Sequence, residues 1–179
     1  MYFYRGNMSM RKTKIGFDLD GVVIGKPFFV PDFVMEKLVR LKVDHKLAYR
    51  YPESKGEQYI RYLSHHPLLR PPIRKNIKLI KELYKSNKYE LFVVSSRYSF
   101  LDERTKDWFR FYKLRKFFKD IHINMKNEQP HIYKERMIKK LKLEVFIDDD
   151  KPLLDYLKKK VKNVDLVFVS DQHKHFSKK

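Results

Sequence analysis

The sequence contains no cysteine. A disulfide framework, a cysteine-ligated zinc site and a cysteine nucleophile are therefore excluded together. Glycine (5) and proline (8) are scarce among the 179 residues, which argues against low-complexity disorder and fibrous repeats. No apolar run approaches the roughly 18 residues of a membrane-spanning helix. The opening stretch, MYFYRGNMSMRKTK, lacks the apolar centre of a signal peptide, so a cytoplasmic location is expected. Met8 and Met10 are alternative starts, since both precede the first apolar run. Against these absences, hydrophobic residues make up 42% of the chain and aromatics 15%, enough for a sizeable core in one domain, with or without a small insertion.

Acidic residues are also few. Lys and Arg number 41 against 22 Asp and Glu, for a formal net charge of +19. Such a balance attracts polyanions. The surplus is spread out, however: residues 26–75 hold six more basic than acidic side chains and residues 101–142 hold seven more. Dispersed charge of this kind reads as a solvated basic surface, and no nucleic-acid-binding motif accompanies it. Nucleic acid is thus admitted as a partner but not favoured. The sequence fits a monomer or a homodimer equally.

Five short apolar runs read as buried strands, at 15–19, 91–94, 121–123, 145–147 and 166–169. Between them, apolar residues at spacings of three and four predict helices over 72–86, 100–114, 131–141 and 152–161. This alternation predicts an α/β fold, a Rossmann-like parallel sheet with helices on both faces. Residues 24–70 interrupt it. They carry two predicted helices, at 32–41 and 54–64, and read as a small helical insertion; 171–179 reads as a frayed tail.

Sheets of this class bind ligands beyond the carboxyl ends of their strands, and polar residues gather at those ends here. Asp18 and Asp20 stand two apart beside Gly21, ready to serve as a nucleophile and an acid–base pair, or to form an ordinary turn. Ser95 ends the second run, as a phosphoryl contact or a turn residue. Asp148, Asp149 and Asp150 end the fourth, either to hold a hard cation such as Mg²⁺ or to cap the helix that follows. Lys134 opens the helix leading to that run. Arg97 is a candidate phosphate contact or a partner of Asp102 or Glu103. His65-His66 reads as a solvated helix end, because adjacent histidines seldom share an ion.

Taken together, IGFDLDGVV at 15–23, FVVSSR at 92–97, Lys134 and VFIDDD at 145–150 resemble the haloacid dehalogenase-like superfamily, phosphatase type. The double aspartate of the last motif is similar to deoxyribonucleotidase-like branches. The resemblance implies a core of residues 1–23 and 71–179, with 24–70 as a small helical cap. It implies Asp18 as nucleophile, Asp20 as general acid and base, and Ser95 and Lys134 as phosphate-binding residues. Mg²⁺ would be held by Asp18, Asp20 (through its carbonyl) and Asp149, with Asp148 in direct or indirect contact. The second aspartate points to phosphate esters rather than carbon–halogen bonds. The expected activity is hydrolysis of a small phosphorylated metabolite, such as a nucleoside monophosphate, through an aspartyl-phosphate. The alternatives are a phosphatase acting on nucleic-acid ends and a non-catalytic binding protein of the same fold.

Overall fold

A computed structural model describes residues 11–25, 40–43 and 46–169. The chain begins with β1 (Thr13–Phe17), β2 (Arg40–Val43), β3 (Lys46–Tyr49), α1 (Lys55–Ser64) and α2 (Arg74–Lys85). It continues through β4 (Tyr89–Tyr98), α3 (Asp102–Phe111), β5 (Asp120–Asn124), α4 (Pro130–Leu141), β6 (Val145–Asp148), α5 (Lys151–Lys160) and β7 (Asp165–Phe168). Strands β5-β4-β1-β6-β7 form one sheet in that order, and every pairing in it is parallel. All five expected strands are present, and the four expected core helices stand within a few residues of their predicted limits.

The alternation of side chains along a strand explains how the sheet is covered. On one face Phe17 and Val93 pack with Ile77 and Ile80 of α2 and Trp108 and Phe109 of α3. On the other, Phe92, Val94 and Phe146 pack with Met137 and Ile138 of α4 and Leu153 and Leu157 of α5. Strands buried on both faces need apolar residues at nearly every position, which is why they read as short continuous runs. None of the helices among the described residues is long and apolar enough to cross a membrane.

Two expectations are corrected. β4 does not end at Ser95; it runs on to Tyr98, with a register irregularity against β5 between Ser95 and Tyr98. Such a bulge re-aims the side chains around it. The region after β1 is also not wholly helical. The predicted helix over 32–41 lies outside the described residues except at Arg40 and Leu41, which stand in β2. β2 pairs antiparallel with β3, and the register leaves two residues between them. RLKV alternates basic with apolar residues, a period-two pattern that suits a strand. The helix predicted at 54–64 is α1, capped by the Ser54 hydroxyl, which accepts the Glu57 N–H (3.1 Å). Residues 171–179 lie outside the described residues.

The chain leaves the sheet and returns to it at one place. Gly25 N–H donates to Pro71 O (2.8 Å), and Ile73 N–H donates to Val23 O (3.0 Å). The core that carries these turns is tightly filled, with Leu157 and Phe146 fully inaccessible. Leu157→Ala is expected to lower unfolding free energy by about 2–5 kcal/mol, read as a shifted urea midpoint at unchanged m-value.

Candidate active site

Register brings the predicted residues together. Phe17 pairs with Val93 on one side and Ile147 on the other, so Asp18 and Asp148 follow side by side on adjacent strands. Asp18 N–H donates to Ile147 O at 2.8 Å, which fixes this spacing. α4 begins at the same end of the sheet and carries Lys134 inward. The Lys134 ammonium lies 3.0 Å from Asp18 Oδ1 and 2.7 Å from Asp148 Oδ2. All three side chains are buried, at 3%, 9% and 0% exposure respectively.

Asp149 completes a carboxylate cluster. One oxygen each from Asp18, Asp148 and Asp149 lie within 4.8 Å of one another. Both oxygens of Asp148 have a partner, Oδ1 accepting the Asp150 N–H (3.0 Å) and Oδ2 taking Lys134. Asp149 has no hydrogen bond or ion pair among the described residues. Burial, then Asp148 and Asp18, push the Asp149 carboxyl up to about 8. Burial also raises Asp18, to about 7, with Lys134 pulling against it. Burial alone would lower Lys134, but Asp148 and Asp18 outweigh it and hold the ammonium charged. Three carboxylates against one ammonium leave an excess of negative charge, and oxygen donors so spaced suit a hard divalent cation. Gly21 makes room for this cluster: its φ is +78°, and a Cβ there would stand 1.8 Å from Asp149 Oδ2.

Asp20 belongs to a second, oppositely charged group. Arg97 forks onto it, Nε donating to Oδ2 (2.7 Å) and Nη2 to Oδ1 (2.7 Å). Arg70 Nη1 donates to Oδ1 as well (3.0 Å). Desolvation would raise the Asp20 carboxyl, but Arg97 and then Arg70 hold it well below the usual carboxylate range. Arg97 therefore does not pair with Asp102 or Glu103, both of which bond Lys106 (2.8 and 2.7 Å). Arg97 Nη1 instead donates to Thr105 Oγ1 (3.0 Å), and Thr105 donates to Leu101 O (2.8 Å). Ser95 is buried in the same strand. Its hydroxyl accepts the Arg97 N–H (3.3 Å), and this is its only hydrogen bond among the described residues.

The acidic run divides its work. Asp148 and Asp149 join the cluster, whereas Asp150 caps α5, its Oδ1 accepting the Leu153 N–H (3.2 Å). Asp150 Oδ2 also accepts the Tyr49 hydroxyl (2.7 Å), and Gln129 bonds both backbone groups of Tyr49 (2.9 and 3.2 Å). The hairpin is thereby fastened beside the site. His65 is not a solvated end: half-buried, its Nδ1 lies 2.7 Å from Arg61 O. Burial, then Arg97 and Arg70, push it well below the ordinary histidine range. Sequence reasoning missed Thr105, Tyr49 and Gln129, and did not connect Arg70 with Asp20. None of these lies in a motif, and the contacts that bring them to the site span 8 to 101 positions. Two surface cavities, of about 370 and 320 Å³, are lined by no residue of either charged group.

No protein-family model and no curated protein sequence matches the chain. Solved structures do match. A haloacid dehalogenase-like family hydrolase from Streptococcus pneumoniae aligns with TM-score 0.55 and 14% identity, over 89% of this chain and 85% of that one. A second hydrolase from Streptococcus pneumoniae aligns with TM-score 0.51 and 12% identity, over 91% and 96%. A haloacid dehalogenase family enzyme from Bacteroides thetaiotaomicron, an aspartate-to-alanine mutant in complex with magnesium and inorganic phosphate, aligns with TM-score 0.51 and 12% identity, over 88% and 94%. At these identities the likeness is one of fold, and the fold is haloacid dehalogenase-like.

The buried ammonium yields a stability test. Lys134→Met leaves the carboxylates without their cation and is expected to cost about 3–5 kcal/mol. Adding Asp148→Asn should recover part of that loss in a double-mutant cycle by urea unfolding, because the two side chains share one contact.

Proposed function

We propose that the chain is a Mg²⁺-dependent phosphomonoester hydrolase acting through an aspartyl-phosphate on Asp18. The observation that carries this reading is the convergence of Asp18, Asp148 and Asp149 around the Lys134 ammonium, with donor oxygens within 4.8 Å. Phosphoryl transfer needs positioning and charge neutralisation more than any other aid. Asp18 is the nucleophile. Lys134 offsets the charge between Asp18 and the phosphoryl group, and the Ser95 hydroxyl donates to a phosphoryl oxygen. Asp20 moves the proton of the leaving oxygen and of the water that follows, a role that requires its release from the two arginines that hold it ionised here.

The carboxylates of Asp18 and Asp149, the carbonyl of Asp20 and Asp148, in direct or indirect contact, would hold the Mg²⁺. Asp149, half-buried and without a hydrogen bond or ion pair among the described residues, is the feature that fits such an ion best. When bound, the ion supplies positive charge beside the phosphoryl oxygens and favours the ionised nucleophile. Support for the pairing of metal and phosphate comes from the Bacteroides thetaiotaomicron enzyme, which carries both. Residues 24–70 act as the cap, and 1–23 with 71–179 as the core, a division supported by the Gly25–Pro71 contact that brings the ends of the segment together. The substrate is a small phosphorylated metabolite, with a nucleoside monophosphate first among candidates.

Purified protein is expected to hydrolyse an aryl phosphate with Mg²⁺ and to stop in EDTA. Asp18→Asn is expected to lower turnover by at least about 1,000-fold. Turnover that survives either change overturns the reading. Independently of catalysis, Gly21→Ala is expected to weaken Mg²⁺ binding at least about tenfold by calorimetry, because the added carbon displaces Asp149.

A further inference from the structure

The bases of α2 stand apart from those of the other helices. Lys106 and Arg110 of α3, Lys139 of α4 and Lys151 of α5 each bond an acidic side chain three or four positions away. α2 carries Arg74, Lys75, Lys78, Lys81 and Lys85 against one acidic residue, Glu82. None of these five bases forms a hydrogen bond or ion pair among the described residues. Spacings of four, three and four place Arg74, Lys78, Lys81 and Lys85 on one side of the helix, an exposed row about 16 Å long. Like charges so spaced repel, and Arg74 and Lys75 also oppose the helix dipole in a first turn that holds no acid.

A cavity of about 370 Å³ opens beside this row. Arg74, Lys78 and Lys81 line its cationic side, Ile77, Tyr112 and Leu114 its apolar side, and no acidic residue lines it. Rings extend the surface beyond the cavity. Lys81 and Lys116 lie 5.6 and 5.4 Å from the centre of the Phe117 ring. Tyr84, itself 50% exposed, meets the same ring edge-on at 5.4 Å. A row of cations flanked by rings suits phosphates at regular intervals joined to planar bases. An acidic polymer without bases would meet the cations and leave the rings unused. The length of the row favours a strand over a free nucleotide, since four cations along about 16 Å reach more than one phosphate.

We infer that this face of α2, with Tyr84, Tyr112 and Phe117 beside it, is a binding surface for single-stranded nucleic acid. The phosphates lie along Arg74, Lys78, Lys81 and Lys85, and the bases lie against the rings. The cavity shares no residue with the groups around Asp18 and Asp20, so the inference goes beyond the phosphatase reading and stands or falls apart from it.

The test measures fluorescence anisotropy of a labelled oligothymidylate of about 12 nucleotides, in EDTA so that no metal-dependent contact at Asp18 contributes. The wild type is expected to bind it with a log–log salt slope of about −3, from four phosphate contacts at about 0.7 each. Lys78→Glu with Lys81→Glu should weaken binding at least about tenfold and make the slope shallower by about 1.4. Lys158→Glu with Lys159→Glu makes the same change in net charge on α5, which covers the opposite face of the sheet. At near-physiological salt, where charges more than about 8 Å apart are screened, that pair should stay within about threefold of the wild type. Tyr84→Ala should weaken binding at least about fivefold with the slope unchanged. All five positions are exposed, so the unfolding midpoint should hold in each variant. Equal weakening by the α2 and α5 pairs would mark diffuse attraction to the net charge and overturn the inference. So would a wild type that does not bind, Tyr84→Ala at wild-type affinity, or a duplex of the same length bound as tightly. Polyglutamate or thymidine monophosphate competing as well as the unlabelled strand would overturn it too.

Discussion

An ammonium buried among carboxylates constrains most of this molecule. Lys134 can touch Asp18 and Asp148 together only if β1 and β6 are neighbours, in register, and if α4 begins at the carboxyl end of the sheet. Each requirement is met by a different part of the chain: apolar runs that pair in parallel, Pro130 opening the helix, and the αL cap at Lys142 that ends it. Taking these charges out of water is expensive, and well-packed apolar side chains would stabilise the same space more cheaply. Their retention at the end of a largely apolar sheet core fits a demand of chemistry rather than of folding.

Two residues of sequence separate two opposite electrostatic environments. Asp18 faces a region with more carboxylates than cations, and Asp20 a region with more cations than carboxylates. The first raises its carboxyls and the second lowers its one carboxyl. The left-handed turn at Gly21 and the N–H of Gly21 on Ile24 O (2.8 Å) keep these neighbours on separate courses. One strand end thus presents a carboxylate tuned by other acids and a carboxylate tuned by bases, the kind of divergence that lets identical groups take different parts in one reaction.

The strands and core helices were legible because their signal is local: a continuous apolar run or a 3.6-residue period lies within one segment. The convergence of Asp18, Lys134, Asp148 and Asp149 was legible for a second reason, since a parallel sheet sends all its strand ends to one edge. What could not be read depends on contacts without a local mark. Arg70 is one of 12 arginines, and nothing near it announces a partner fifty positions back at Asp20. The extension of β4 through Ser95 and Arg97 was hidden because polar residues past an apolar run look like a turn, and only the pairing with β5 makes them strand. The hairpin was obscured by a helix assignment laid over its first two residues. Asp150 was read as either ligand or cap, and the geometry gives the run both uses at once.

The contact between Gly25 and Pro71 has a consequence for how such a chain can change. Both ends of a 45-residue excursion meet at one hydrogen bond, and beyond it the segment returns to the core at a few points such as Tyr49 and Arg70. The entropy of closing a flexible loop grows only logarithmically with its length, by about 0.6 kcal/mol for each doubling. Segments of quite different size can therefore be closed at this point with little burden on the sheet. Sequence drift in that region is then free to reshape what the strand ends meet, while the register of β4, β1 and β6 stays under strict constraint.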